Sequence, residues 1–157
     1  MKLRRKQSSL PVLSWLWIPL VWIGLGLSRL LISLLSFQRL APLLGQPAGS
    51  AAWVPLLNPR QEARARIIGR TVSFTSRYTP WESNCFDKAI VARIMLGIYR
   101  IPYALFFGLQ REHLTRKLKA HAWVAAGRVR VVGGRGFGHF AVVNAFCSTS
   151  LHAGDTH

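Results

Sequence analysis

Residues 84–100, NCFDKAIVARIMLGIYR, decide how the chain folds, because they predict a buried helix with a defined start. Asn84 is a favourable N-cap residue, and Asp87, three positions later, can complete a capping box. Cys85 is therefore expected in the first turn of the helix. Apolar side chains cover most of the helix circumference, which predicts burial on several sides. This apolar set comprises Phe86, Ile90, Val91, Ile94, Met95 and Ile98.

The residues that follow this helix predict a series of strands. YALFFGLQ (103–110) is nearly all apolar and is typical of a central strand. After the polar connection REHLTRKLK, the segment AHAWVAA (120–126) predicts the next strand, with a turn at Gly127-Arg128. VRVVGG and FAVVNAF (140–146) predict a third and a fourth strand. A helix followed by consecutive strands predicts an α+β domain with an antiparallel sheet.

An earlier helix is predicted over NPRQEARARIIGRTVSF (58–74). Asn58 is a good N-cap, Pro59 suits the first helical position, and Gln61 is placed to complete a capping box. Pro80 is expected to end this element. The face expected to be apolar comprises Ala63, Ile67 and either Ile68 or Thr71.

A length of 157 residues allows one domain with a substantial core and an appendage. We predict a hydrophobic helical segment over residues 1–45 and a linker over 46–57, where Pro, Gly, Ala and Ser predominate. The domain itself is predicted over 58–147, followed by a flexible tail over 148–157.

The N-terminal segment leaves three interpretations open. LPVLSWLWIPLVWIGLGL (10–27) is long enough to cross a bilayer and follows the basic start MKLRRK. It also fits a helix lying at the membrane surface, or a helix packed on its own domain. A signal peptide has a similar basic start, but no small-residue cleavage site follows the apolar stretch cleanly.

The net charge of +16 comes from 21 lysines and arginines against five carboxylates, and it indicates an anionic partner. Nucleic acid, an anionic membrane surface and an acidic peptide would all fit this charge. No zinc-finger spacing, RNP-like aromatic strand or basic-region heptad accompanies it, so we do not expect nucleic acid binding. The two cysteines indicate a reducing compartment better than a disulfide framework.

Cys85 and His121 are the candidate catalytic residues. The first turn of a helix offers amide N–H groups and a positive dipole end, which favour the thiolate form of Cys85. An imidazole within hydrogen-bond reach would take the thiol proton and pass it to a leaving amine. The alternatives are that Cys85 is a small core side chain and that His121 is a structural interior histidine.

A metal site is the competing interpretation of these residue types. Its ligands would be Cys85, His121, His139 and Cys147, but no two of them have the short spacing of typical zinc ligands. GGRGFG (133–138) lacks the phosphate-loop pattern and is expected to connect two strands. We therefore expect neither a metal ion nor a cofactor.

The segments PWESNCFDKAIVARIML, RIPYALFFGLQ, KAHAWVAAG and VRVVGG together resemble the peptidase half of lasso-peptide biosynthesis B proteins. The similarity extends over about residues 60–146, and AHAW carries most of it. The resemblance implies a transglutaminase-like or papain-like cysteine hydrolase core, with a Cys-bearing helix packed on a small antiparallel sheet. It further implies that Cys85 is the nucleophile and His121 the general base of a leader peptidase that needs no cofactor.

The resemblance also implies partners. The first 60 residues are too short and too apolar for the leader-recognition domain of the unsplit protein, so the chain resembles the split form. A precursor peptide, a separate small leader-recognition protein and a macrolactam-forming cyclase would then be its partners. The location would be cytoplasmic, with the N-terminal helix lying on or dipping into the membrane, or packed in the domain.

The chain departs from the family in the acid that orients the histidine. Members commonly carry an Asp on the strand after the His, but VRVVGG contains no carboxylate, and Asp155 lies in the tail. Glu82, Asn144 or a backbone carbonyl remain as orienting groups. Two other functions stay open: another transglutaminase-like acyl transferase or amidase, and a non-enzymatic basic scaffold at the membrane.

Overall fold

The computed structural model describes residues 12–49, 54–81, 84–111, 117–134 and 137–148. The basic start MKLRRK, Glu82, most of the REHLTRKLK connection and the tail from residue 149, with Asp155, lie outside the described residues. The helices are α1 (Val12–Leu34), α2 (Phe37–Leu44), α3 (Pro59–Thr75) and α4 (Cys85–Ile98), with a 3₁₀ turn at Phe137–His139. The strands are β1 (Gln46–Gly49), β2 (Ala104–Arg111), β3 (Leu118–Ala126), β4 (Val129–Val132) and β5 (Ala141–Cys147).

The strands form one antiparallel sheet in the order β1-β5-β2-β3-β4. β2 lies at its centre, as its apolar sequence predicts, and pairs with β3 so that Gly108 faces His121. The turn between β3 and β4 is at Gly127 and Arg128, where Gly127 has a φ of 58°. An α+β fold with a Cys-bearing helix and an antiparallel sheet is confirmed.

The two faces of the sheet have separate apolar clusters. Leu105, Val124 and Phe146 face the main core, which they share with α1, α3 and α4. Phe106 and Trp123 alternate onto the opposite face and form a smaller cluster there. The helices therefore cover one face of the sheet, while loops and side chains partly cover the other.

Helix α3 begins as predicted, and its buried face includes the predicted Ile68 and Thr71 but not Ala63. Asn58 and Gln61 form the capping box, with the Gln61 N–H donating to Asn58 Oδ1 at 2.9 Å. The prediction that Ala63 lies on the buried face is wrong, because contacts with α1, α4 and β4 cover a stripe that is shifted toward Ala65 and Val72. The helix also ends at Thr75, five residues before Pro80. The buried stripe comprises Ala65, Ile68, Gly69, Thr71, Val72 and Thr75.

Helix α4 begins at Cys85 and ends at Ile98, close to the predicted bounds. Its core side is formed by small and medium residues such as Ala89, Ala92 and Leu96, which lie against the other helices and β3. Burial on several sides is confirmed, since the four consecutive residues Ala89–Ala92 are buried, whereas Ile94 is 45% and Ile98 59% exposed. Helices α1 and α3 and strands β3 and β4 all contact α4 and cover it from several sides.

Helix α1 packs on α3 and α4 through one stripe that includes Val21, Leu25 and Ser28. Its opposite stripe is apolar but exposed. The stretch Ser14–Leu34 is also long and apolar enough to cross a membrane by length and composition. The exposed stripe comprises Leu16, Leu20, Ile23, Leu27, Leu30 and Leu34.

The segment predicted as a linker contains a strand. Residues 46–49 form β1, which pairs with β5 at the edge of the sheet. Tyr103 connects the end of α2 to α4. Its hydroxyl donates to the Leu44 carbonyl at 3.0 Å and accepts from Arg93 Nε at 2.9 Å. Burial raises the pKa of Tyr103 and keeps this hydroxyl protonated.

Candidate active site

Cys85 is the first residue of α4, and its side chain is half-buried against the main core. The capping box of Asn84 and Asp87 fixes this helix start, since the Asn84 N–H donates to Asp87 Oδ2 at 2.9 Å. Backbone N–H groups in a first helical turn have no intrahelical acceptor and point toward the N-terminal end. Cys85 therefore lies where developing negative charge is stabilised.

Asp87 is a buried carboxyl directly beneath this helix start, with 1% of its surface exposed. Burial raises the pKa of Asp87, while the hydrogen bond from Asn84 and the charges of Arg29 and Lys88 act against the rise. Its carboxyl oxygen accepts from the backbone N–H of Asn84, so Asp87 holds the start of α4.

His121 lies on β3 and has a fixed tautomer. Its Nε2 is 2.7 Å from the carbonyl oxygen of Gly133. A carbonyl can only accept, so Nε2 carries the proton and donates it. In the neutral ring Nδ1 is then the nitrogen with the free lone pair.

Gly133 follows β4 and has a φ of 72°, which favours glycine. A Cβ at this position would lie 2.4 Å from the carbonyl oxygen of Ala122 and 2.8 Å from Cβ of Trp123. The strand after His121 therefore provides an acceptor without any side chain. Of the two orienting groups that lie within the described residues, Asn144 and a backbone carbonyl, the carbonyl of Gly133 is the one that bonds to His121.

Two aromatic rings pack against the imidazole of His121. Phe140 lies with its centroid 4.9 Å away and Trp123 with its centroid 5.8 Å away. Gly108, the partner of His121 on β2, makes room for them, because a Cβ there would lie 2.7 Å from Cβ of Phe140. The hydrogen bond to Gly133 and these rings together restrict the orientation of the imidazole.

Two neighbouring cavities are lined by both Cys85 and His121. One, of about 540 Å³, is called the basic cavity here because it is lined by Arg77, Lys88 and Arg130. The other, of about 360 Å³, is called the apolar cavity and is lined by Phe86, Phe107, Leu109, Ala120 and Val143. The predicted nucleophile and base are thus brought to the junction of two cavities of different chemistry.

The remaining predicted candidates have other surroundings. Asn144 lines the apolar cavity, but its Oδ1 accepts from the N–H of Ala145 at 2.9 Å. The four residues of the alternative metal site do not cluster, and within the described ranges no three His, Cys, Asp or Glu side chains do so. Cys147 is buried in β5, and burial raises the pKa of its thiol, whereas His139 is exposed.

The cations of the basic cavity and the ring of Phe140 were not among the residues predicted from the sequence. Lys88 was recognisable in retrospect, since it follows Cys85 by three positions and so lies on the same side of α4. Arg77, Arg130 and Phe140 come from other elements, and only the tertiary fold brings them to this site.

A family model described as the transglutaminase-like superfamily matches residues 29–145, which is most of the chain. The match includes α3, α4, all of β2, β3 and β4, and β5 up to Ala145. It agrees with the observed arrangement of a Cys-bearing helix on an antiparallel sheet. Neither the curated proteins nor the solved structures gave a match to this chain.

Proposed function

Because the chain belongs to the transglutaminase-like superfamily, we propose that it is a cysteine peptidase that removes the leader from a ribosomally synthesised lasso precursor peptide. The superfamily typically comprises cysteine hydrolases and acyl transferases. The observation that carries the proposal is that Cys85 and His121 line the same two cavities while Gly133 holds the His121 proton on Nε2. A thiol and an imidazole with a free Nδ1 are the groups that acyl transfer to sulfur requires.

In the proposed reaction, Nδ1 of His121 takes the Cys85 proton and the sulfur attacks the scissile carbonyl carbon. The tetrahedral oxyanion is stabilised by N–H groups at the start of α4. The C–N bond then breaks, the imidazolium gives its proton to the leaving amine, and a thioester remains on Cys85. Water, deprotonated by His121, attacks the thioester and releases the second peptide with a new carboxylate.

The Gly133 carbonyl has a defined role in this cycle. When His121 becomes an imidazolium, both ring nitrogens are protonated, and the carbonyl continues to accept from Nε2. An oriented carbonyl dipole stabilises the cation without a second formal charge. It thereby takes the place of the acid that the family commonly carries, with weaker electrostatic stabilisation than a carboxylate.

The lasso substrate is proposed from the combined motifs, above all the AHAW segment that contains His121. With this assignment the chain acts on a precursor peptide delivered by a separate small leader-recognition protein. The released core peptide passes to a macrolactam-forming cyclase, which uses ATP. The chain itself requires neither a metal nor a cofactor for the steps above.

We also propose that the protein acts in the cytoplasm, at the membrane surface. The support is the exposed apolar stripe of α1, which runs along a helix whose other side is fixed to the domain. A net charge of +16 would add attraction to anionic lipid.

The direct test is cleavage of a lasso precursor by the full chain together with the leader-recognition protein. Cys85→Ala and His121→Ala should each leave the precursor intact, whereas His139→Ala, which changes an exposed histidine, should cleave normally. Retained cleavage by Cys85→Ala would contradict the mechanism. Mass spectrometry distinguishes hydrolysis, which gives two fragments, from acyl transfer, which leaves a modified peptide. If both alanine variants keep full activity while charge reversal along the chain abolishes binding to its anionic partner, the chain acts as a non-enzymatic scaffold.

A further inference from the structure

The two cavities at the Cys85–His121 pair differ in charge. The apolar cavity is formed by aromatic and aliphatic side chains, with Asn144 as its polar side chain besides the pair itself. The basic cavity carries three cationic side chains, and none of the described residues that line it is acidic. A substrate that lies across the pair therefore meets opposite preferences on its two sides.

The positive charge of the basic cavity comes from three different elements. Lys88 lies one turn after Cys85 on α4, Arg77 follows the end of α3, and Arg130 is on β4. Cations on separate walls of a concave site reinforce one another's field, which low-dielectric surroundings focus into the cavity. A carboxylate entering this space would meet cations from several directions.

A peptide must be positioned with its scissile carbonyl beside Cys85 for the thiol to attack. Because Cys85 and His121 line both cavities, a peptide so placed can extend into the basic cavity on one side of that carbonyl and into the apolar cavity on the other. Side chains close to the scissile bond are thus selected separately on each side.

We propose that the substrate carries an acidic side chain on one side of the scissile bond, bound in the basic cavity, and an apolar side chain on the other, bound in the apolar cavity. The inference rests on the proposed function, since it assigns the substrate class of the same site. Lys88 is the central cation of this subsite, because it is adjacent to the nucleophile on α4.

The charge of the basic cavity can be measured without any peptidase activity. Iodoacetate and iodoacetamide both alkylate a thiolate with loss of iodide, but only iodoacetate is an anion. The ratio of their rate constants at Cys85, followed by peptide mapping of the full chain, cancels differences in thiolate fraction. We expect this ratio to exceed that of N-acetylcysteine amide severalfold. Lys88→Gln and Arg77→Gln should each lower it by roughly twofold to fivefold.

Arg111→Gln is the matched control, because Arg111 is an exposed cation at the end of β2 and does not line the basic cavity. Its ratio should equal that of the unmodified protein. A ratio at Cys85 no higher than that of the free cysteine derivative, and unchanged by Lys88→Gln, overturns the acidic subsite. Such a result leaves the test of Cys85→Ala on the precursor unaffected, so the two failures are distinguishable.

Quenched-fluorescent peptides then test the subsite in catalysis. Pairs of peptides that differ only in glutamate or lysine, placed in turn at each position flanking an apolar residue, are offered to the full chain. We expect one position at which glutamate raises kcat/KM by roughly tenfold over lysine, with the preference reversed in Lys88→Glu. Equal rates for every pair overturn the proposal, and if all pairs resist cleavage the alkylation ratio decides.

Discussion

The imidazole of His121 donates from Nε2 to the carbonyl oxygen of Gly133 at 2.7 Å, so a residue with no side chain holds the candidate base. The carbonyl of Gly133 reaches His121 in a backbone conformation that favours glycine. Its φ is 72°, and Ala122 and Trp123 lie too close to leave room for a Cβ. The hydrogen bond and the backbone geometry of the loop after β4 therefore depend on each other.

Gly133→Ala should lower kcat by about tenfold or more, because the carbonyl must move away from His121 to relieve the contact of the new methyl group. Gly49→Ala is the matched control, since Gly49 also has a positive φ, of 65°, but has open space around its Cβ position. Both variants share the backbone strain of about 1–2 kcal/mol. Steady-state kinetics on the precursor compares them, and equal kcat values would contradict the role of Gly133.

The same variant pair should differ in a spectroscopic property of His121. In the unmodified protein the ¹⁵N shifts of the neutral ring should report a protonated Nε2 and an unprotonated Nδ1. We expect Gly133→Ala to populate both tautomers, because the acceptor that selects one of them has moved. Gly49→Ala should leave the spectrum unchanged. A purely destabilising effect of Gly133→Ala would not alter the tautomer ratio of the folded fraction.

Phe140→Ala should lower kcat roughly threefold to tenfold with a smaller change in KM, because a ring contact of about 0.5–1.5 kcal/mol no longer restrains the imidazole. Phe140→Tyr keeps the ring and should retain most of the activity. If the alanine variant changes KM alone, Phe140 acts on substrate binding and not on the orientation of His121.

The starts of α3 and α4 could be predicted from the sequence because capping is local. Asn58 with Gln61, and Asn84 with Asp87, are each separated by three residues, and their chemistry is visible in the sequence. The position of Cys85 at a helix start follows from this local signal alone. Strands β2 to β5 were equally visible as apolar runs between polar turns.

What could not be predicted depends on distant pairing or on the backbone. β1 has the sequence QPAG, which shows no strand pattern, and it exists because β5 provides hydrogen-bonding partners far along the chain. The buried face of α3 depends on its neighbours, which cover Ala65 and Val72 and leave Ala63 exposed. The Gly133 carbonyl leaves no side-chain signal, so the sequence could only leave it among three candidates for the orienting group.

Asp87 gives the fold a defined pH dependence. Its folded-state pKa is raised by burial, so its contribution to stability is fully present below the unfolded pKa of about 4 and is lost as the pH rises through the folded value. Asp87→Asn retains an acceptor for the Asn84 N–H but removes the titration. We expect the free energy of unfolding of the unmodified protein, relative to Asp87→Asn, to fall as the pH rises above about 4. Urea denaturation across this range measures it, and a flat or rising difference would contradict the assignment.

Leu25 and Leu27 lie on opposite sides of α1. Leu25 is fully buried against the domain, so Leu25→Ala should cost about 2–5 kcal/mol in the free energy of unfolding. Leu27 is 54% exposed on the opposite side, and Leu27→Ala should change stability by less than about 0.5 kcal/mol. Denaturant unfolding of both variants tests whether α1 is an integral part of the fold. Equal effects would show that it is not fixed to α3 and α4 in solution.

The exposed stripe of α1 should bind lipid. Replacing Leu20, Ile23 and Leu27 together by glutamine should reduce flotation with vesicles of phosphatidylcholine and phosphatidylglycerol by at least about tenfold, because three apolar side chains no longer enter the membrane interface. Leu56→Gln is the matched control, since Leu56 is 91% exposed but lies outside α1.

Vesicles of phosphatidylcholine alone should bind the unmodified protein more weakly, and added salt should weaken binding to the anionic vesicles. Resistance to alkaline carbonate extraction would instead indicate a spanning helix, which would require α1 to leave the contacts that bury Val21 and Leu25.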